Sequence, residues 1–203
     1  MAADRRRLVV ATTNRGKLAE LHRILADLPI ELVAMDEVGV HAPDETGATF
    51  EDNAALKARH AAETTGLLAV ADDSGLQVDA LGGAPGVRSA RYAGEHGDDT
   101  ANNARLLQEL AGVPDEDRTA RFVCVAALAT PDGQIWTRRG VMEGRIVHAP
   151  RGDGGFGYDP LFVAAGESRT NGELPPQVKD ARSHRGAAFR AIRADVQGLL
   201  AGR

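Results

Sequence analysis

Two short apolar runs flanking one amphipathic helix open the chain, and this arrangement restricts its folding more tightly than any other stretch. Leu8 to Thr12 reads as a strand, Thr13-Asn14-Arg15-Gly16 as a polar turn, and a helix follows from about Lys17. Leu18, Leu21, Leu25 and Leu28 recur at three- and four-residue spacing, giving that helix one apolar stripe to bury. Pro29 closes it, and Glu31 to Met35 supplies a second strand, completing a β-α-β beginning. With 203 residues, 43% of them hydrophobic, the chain suits one large domain or one domain in two lobes, folded throughout.

Thr49 followed by Asp52 predicts a helix N-cap, and the alanine-rich segment behind it a helix to about Thr65. Leu67 to Ala71 has the continuous apolar character of a buried strand and delivers Asp72-Asp73-Ser74-Gly75 at its carboxyl end. Gly82, Gly83, Pro85, Gly86 and Gly94 mark a loop system, and Thr100 to Ala111 a helix, a region suited to a second lobe. Arg121 to Thr130 and Gln134 to Arg145 read as strands of a long hairpin, joined through Thr130-Pro131-Asp132-Gly133. Gly152 to Tyr158 and Glu167 to Arg182 read as loops, and Ser183 to Leu200 as a closing helix.

Several function classes drop out. The longest uncharged apolar run, Phe122 to Ala129, is far shorter than the ~20 residues a membrane helix needs. Behind Arg5-Arg6-Arg7 the apolar stretch is too short for a secretory signal, which predicts a cytoplasmic location. The one cysteine, Cys124, lies inside an apolar run and reads as a small buried hydrophobe. A formal net charge of −5 argues against a long nucleic-acid surface, so any phosphate site must be local.

The turn Thr12-Thr13-Asn14-Arg15-Gly16-Lys17 sets small hydroxyls, an amide and a lysine where a helix begins. Unpaired N–H groups and the positive dipole end favour an anion there, although a capped turn with a solvated lysine explains the same residues. It is not a P-loop, lacking both the glycine spacing and the following Ser or Thr. Asp72-Asp73 is sharper, since two carboxylates at the end of a buried strand need a cation or strong donors. Successive strand residues point to opposite faces, so Asp73 is expected to face the site while Asp72 holds the surroundings. Mg²⁺ is the expected cation, taking one or two carboxylates plus water and phosphate oxygens, and an acidic turn capped by its own backbone is the competing reading. Asp44-Glu45 offers a second carboxylate, although loop acids are usually solvated. Glu20, three residues after Lys17, reads as its ion-pair partner, and Asn53 and Lys57 share one helix face. Gly154-Gly155-Phe156-Gly157-Tyr158-Asp159-Pro160 gathers two aromatics and an acid in a chain with 4% aromatics. It reads either as a nucleobase pocket or as a turn anchored by buried rings. Ser183-His184-Arg185 begins the last helix and offers donors to a 6-oxo purine.

Taken in order, these stretches resemble the inosine triphosphate pyrophosphatase family, the noncanonical purine NTP pyrophosphatases. Phe50-Glu51-Asp52-Asn53-Ala54-Ala55-Leu56-Lys57-Ala58, Ala80-Leu81-Gly82-Gly83-Ala84-Pro85-Gly86 and Ser183-His184-Arg185-Gly186 extend the resemblance over nearly the whole chain. It implies an α/β fold with a long mixed sheet and flanking helices, in two lobes around a central nucleotide cleft, spanning residues 1–203 as a single domain and assembled as a homodimer. It further implies that Thr12, Thr13, Asn14, Arg15, Gly16 and Lys17 bind the triphosphate, that Asp73 is the catalytic acid-base residue and a metal ligand, and that Ser74 touches substrate. Phe156, Gly157, Tyr158, Asp159, Lys179, His184 and Arg185 would contact base and phosphate. The family carries Glu where Asp44 stands, which leaves either Asp44 or Glu45 to join Asp73 at Mg²⁺. The implied reaction is attack of water on the α-phosphorus of ITP, dITP or XTP, releasing the monophosphate and pyrophosphate. A related enzyme for modified pyrimidine or methylated nucleotides, and a nucleotide sensor without hydrolysis, are the rival readings.

Overall fold

A computed structural model describes residues 6–200, so Arg5 of the basic run lies outside the described residues. Strand β1 (Arg6–Val10) leads into α1 (Arg15–Ile24), β2 (Ile30–Ala34), α2 (Phe50–Thr65) and β3 (Leu68–Val78). Helix α3 (Asp99–Glu109), strands β4 (Thr119–Ala129), β5 (Ile135–Ile146) and β6 (Phe162–Ala164), and helices α4 (Pro176–Arg182) and α5 (His184–Leu200) follow. The strands form one sheet in the order β2-β1-β3-β4-β5-β6. Strand β1 is parallel to both β2 and β3, with Leu8 opposite Leu32 and Leu68, whereas β5 and β6 are antiparallel. The sheet is therefore mixed and the fold α/β, as expected.

Local chemistry accounts for the element ends. Asn14 caps α1 by accepting the Lys17 N–H at 3.0 Å, and Thr49 caps α2 by accepting the Asp52 N–H at 3.1 Å. Helix α1 stops before Pro29, because the chain tightens to a Leu28 N–H to Leu25 carbonyl bond at 3.0 Å and so leaves the helix a turn early. Two more expectations need correction. Strand β3 does not end at Ala71 but runs through Asp72, Asp73 and Ser74 to Val78, so the acidic pair sits inside an interior strand between β1 and β4. The segment read as a loop from Glu167 to Arg182 contains α4, which starts at Pro176, where the missing N–H costs nothing. Strand β6, with three residues, is too short to leave a periodic signal.

The chain divides into two compact units, one drawing on residues up to Asp73, Cys124–Gly140 and the chain from Arg185 onward, the other on Ser74–Val123 and Val141–His184. The first unit closes on Leu8, Val10, Leu21, Leu25, Val70, Cys124, Leu128, Phe189 and Ile192. The second closes on Leu76, Val78, Leu106, Leu110, Phe122, Ile146, Tyr158 and Phe162. Among the described residues no helix is long and apolar enough to cross a membrane.

Candidate active site

In the first unit, alternation along β3 separates the two adjacent acids. Asp72 is 1% exposed, and its Oδ2 receives Lys17 Nζ at 3.0 Å and both Nε and Nη2 of Arg185 at 3.2 Å. Burial alone would raise its pKa, but Lys17, Arg185 and Lys57 outweigh burial and hold the carboxyl well below the usual carboxylate range. Arg185 is itself 2% exposed and also binds Glu20 through Nη1. Burial would lower its pKa, yet Asp72 and Glu20 raise it. The expected Lys17–Glu20 pair is thus replaced by a crossed arrangement, Lys17 with Asp72 and Glu20 with Arg185, because the long Arg185 side chain from α5 reaches both acids. Cys124 Sγ lies 3.7 Å from Asp72 Oδ2, and burial together with that carboxylate pushes the thiol well above its usual range, in keeping with an unreactive core cysteine.

Asp73 faces other partners. Asn53 Nδ2 donates to its Oδ2 at 3.1 Å, and Lys57 Nζ lies 3.5 Å from its Oδ1 while binding Glu45 Oε1 at 2.7 Å. Burial pushes the Asp73 pKa up and Glu45 adds to the rise, opposed by Lys57, Lys17 and Asn53. Asn53 has a second task, accepting the Gly47 N–H at 2.8 Å, which ties the loop bearing Glu45 to the same amide. A Cβ at Gly47 would come within 2.6 Å of Asn53 Oδ1, so that close approach requires glycine. Asp44 is exposed, and it is Glu45 that joins Asp73 and Lys57. Lys57 and Asn53, one helical turn apart on α2, were visible in the sequence only as a shared face; nothing there showed that β3 lies under it.

The capped turn before α1 leaves Thr13, Asn14 and Arg15 exposed and Thr12, Gly16 and Lys17 partly so. The Lys17 N–H is taken by Asn14, and the N–H groups of Arg15 and Gly16 lead the helix. Such a terminus favours an anion.

The second unit holds the glycine-rich loop. Both oxygens of Asp159 are engaged, Oδ1 by Asn171 Nδ2 at 3.2 Å and Oδ2 by the Phe156 N–H at 2.9 Å and by Lys179 Nζ. A Cβ at Gly155, where φ is +74°, would run into that carboxylate. Lys179 Nζ lies 4.8 Å from the centre of the half-buried Phe156 ring. Tyr158 instead is 4% exposed and donates its hydroxyl to the Ser89 carbonyl at 2.8 Å. Tyr158 thus anchors the turn in the core, whereas Phe156 keeps part of its surface outward. Ser74 is half-buried at the start of this unit. His184, 5% exposed, stacks on Phe122 with centroids 4.8 Å apart and planes at 10°.

Taken together, the first unit offers paired carboxylates, a lysine between them and a helix terminus open to an anion, while the second offers a ring braced by an Asp–Lys pair. The dITP/XTP pyrophosphatase of Streptomyces coelicolor is 56% identical over 198 residues, covering 96% of this chain and 98% of its own. A HAM1 protein from Coxiella burnetii superposes with a TM-score of 0.86 at 45% identity, covering 95% of this chain and 98% of that one. The nucleoside-triphosphatase, dITP/XTP pyrophosphatase of Mycobacterium abscessus gives 0.75 at 52% identity, covering 93% and 97%. The model of the Ham1 family matches residues 8–195. With buried acids, capped turn and aromatic loop all falling inside that match, the chain belongs to the Ham1 family.

Proposed function

We propose that this chain hydrolyses noncanonical purine nucleoside triphosphates, ITP, dITP and XTP, to the monophosphate and pyrophosphate, as a single two-lobed domain over residues 1–203 acting as a cytoplasmic homodimer. The observation that carries the reading is Asp73: a buried carboxylate whose basicity is raised by burial, oriented by Asn53 and set beside Lys57 and Glu45. The names of the relatives, dITP/XTP pyrophosphatase, support the substrate class.

The donor set fits a divalent cation. Lys57 Nζ lies between Glu45 and Asp73, so the two carboxylates are already arranged to share one positive charge. Among the described residues no cluster of three or more His, Cys, Asp or Glu offers a closed metal cage. Two carboxylates with water and phosphate oxygens completing the shell is the habit of Mg²⁺. Asp73 and Glu45 would hold it, Glu45 taking the place first considered for Asp44. Bound there, Mg²⁺ would supply charge stabilisation to the phosphates.

In the reaction, a water oxygen bonds to the α-phosphorus, the bond from that phosphorus to the α,β-bridging oxygen breaks, and pyrophosphate leaves with the electron pair. Asp73 orients the water and accepts its proton. The Thr12 to Gly16 turn holds the phosphates, chiefly with the N–H groups of Arg15 and Gly16 that lead the helix, and Lys17, 3.0 Å from Asp72, adds charge to the same end. Phe156 stacks the base, steadied by Gly157, Asp159 and Lys179, and Ser74 lies beside the substrate. His184 and Arg185, at the start of α5, donate to the 6-oxo group. A buried donor facing the amino group of adenine is left unmatched, costing about 1–3 kcal/mol and favouring ITP over ATP.

The test is incubation with Mg²⁺ and ITP, XTP, dITP, ATP, GTP or dTTP, with monophosphate, diphosphate, pyrophosphate and phosphate quantified separately. Monophosphate plus pyrophosphate from ITP and XTP, with the ordinary nucleotides spared, is the expected result. Diphosphate plus phosphate would overturn the α-attack, and binding of ITP without turnover would favour a sensor. On the base side, Asp159→Asn should raise KM for ITP about tenfold or more with a smaller change in kcat, because the charge that holds Lys179 beside Phe156 is lost. Steady-state kinetics on ITP decide this.

A further inference from the structure

Helix α3 grips a single residue of the aromatic loop from two points. Asp99 Oδ2 accepts the Gly157 N–H at 2.6 Å, and Asn103 Nδ2 donates to the Gly157 carbonyl at 2.9 Å. Four residues apart, the two side chains share one face of the helix. Capping does not explain Asp99, because Asp98 already caps α3 by accepting the Ala101 N–H at 2.9 Å. Packing does not explain Asn103, whose Oδ1 is buried with no hydrogen-bond partner. An apolar side chain of similar size would avoid that cost, so what Asn103 contributes is its donor bond to Gly157. At Gly157 the backbone turns left-handed, with φ +61°, directly after Phe156, and a Cβ there would meet nothing within 4 Å. The conformation, rather than space, requires glycine, and α3 holds that conformation at both of the residue's polar groups.

We propose that Asp99 and Asn103 are positioning residues for base selection, fixing Gly157 and thereby the plane of the Phe156 ring against which the purine stacks. This rests on the reading of Phe156 as the stacking partner given above. Neither residue touches the reacting atoms. Their loss lets the loop sample other orientations, and the substrate must then order it on binding, which raises KM and leaves the chemical step intact.

The variants Asp99→Ala, Asn103→Ala and Asp99→Asn are compared with the wild type at saturating Mg²⁺ on ITP and ATP. The two alanine variants should raise KM for ITP about tenfold, hold kcat within about twofold and shrink the ITP-to-ATP ratio of kcat/KM. Asp99→Asn keeps an acceptor oxygen for the Gly157 N–H and should return KM most of the way to the wild-type value. Should Asn103→Ala fail to fold, Asn103→Asp carries the test, since it is nearly isosteric yet sets an oxygen against the Gly157 carbonyl and should give the same KM shift. An unchanged ITP-to-ATP ratio with only a lower melting temperature would overturn the proposal, as would equal loss of kcat on every nucleotide. Wild type inactive on ITP would sink the functional reading and this inference with it, whereas active wild type with kinetically silent variants would sink this inference alone.

Discussion

Asp73→Asn is expected to lower kcat by about 10²–10⁴-fold, the range for loss of a general base, while the protein stays folded. The carboxylate is 6% exposed and accepts from Asn53, with Lys57 Nζ at 3.5 Å. An amide of the same shape keeps the packing but turns one acceptor into a donor, so it meets either the Asn53 amide or the Lys57 ammonium as a like group. It also cannot take a proton from water. Single-turnover kinetics on ITP, with circular dichroism to verify the fold, measure the effect. A folded variant retaining more than about a tenth of the wild-type kcat would remove Asp73 from the mechanism, because general-base losses run to two decades or more.

Asp72→Asn should act on stability instead. Its carboxylate is the shared anion for Lys17 and Arg185, and removing one partner of a buried pair typically costs about 3–5 kcal/mol because a charge is left uncompensated. For a chain of this size that corresponds to a fall in Tm of roughly 6–20 °C. The sign of the pH effect follows from the lowered pKa of Asp72. A depressed folded-state pKa contributes stability in full above the unfolded value of about 3.9, and loses it as the pH falls toward the folded value. Wild-type stability should therefore drop on acidification below about pH 4 more steeply than that of Asp72→Asn. Denaturation series at several pH values, with equal acid limbs in both proteins, would overturn the assignment of Asp72 as the structural anion.

Where the two adjacent acids divide their labour, the sequence was informative through the pleat alone. Alternation along a strand sends neighbours to opposite faces, and the structure has Asp72 among Lys17 and Arg185 while Asp73 meets Asn53 and Lys57. What the sequence misjudged is where the strand ends. Acidic residues read locally as a turn, yet β3 continues through them to Val78, because cations from α1, α2 and α5 compensate the buried charge. Those cations are remote in the chain, and local propensity carries no trace of them.

By itself, the sequence determined whatever depends on near neighbours. The caps at Asn14 and Thr49 and the punctuating glycines are set by bonds spanning three or four residues and are found in the structure, whereas of the apolar stripe read along α1 only Leu18 and Leu21 fall within the helix, Leu25 capping it and Leu28 lying beyond. Only the tertiary structure decided that Glu45 rather than Asp44 meets Lys57, that Arg185 bridges Asp72 and Glu20, that Phe156 and Tyr158 face different surroundings, and that α3 grips Gly157. Each of those is a meeting of charged or polar groups far apart in sequence, chosen by which elements pack together, and that choice is made by burial of the core.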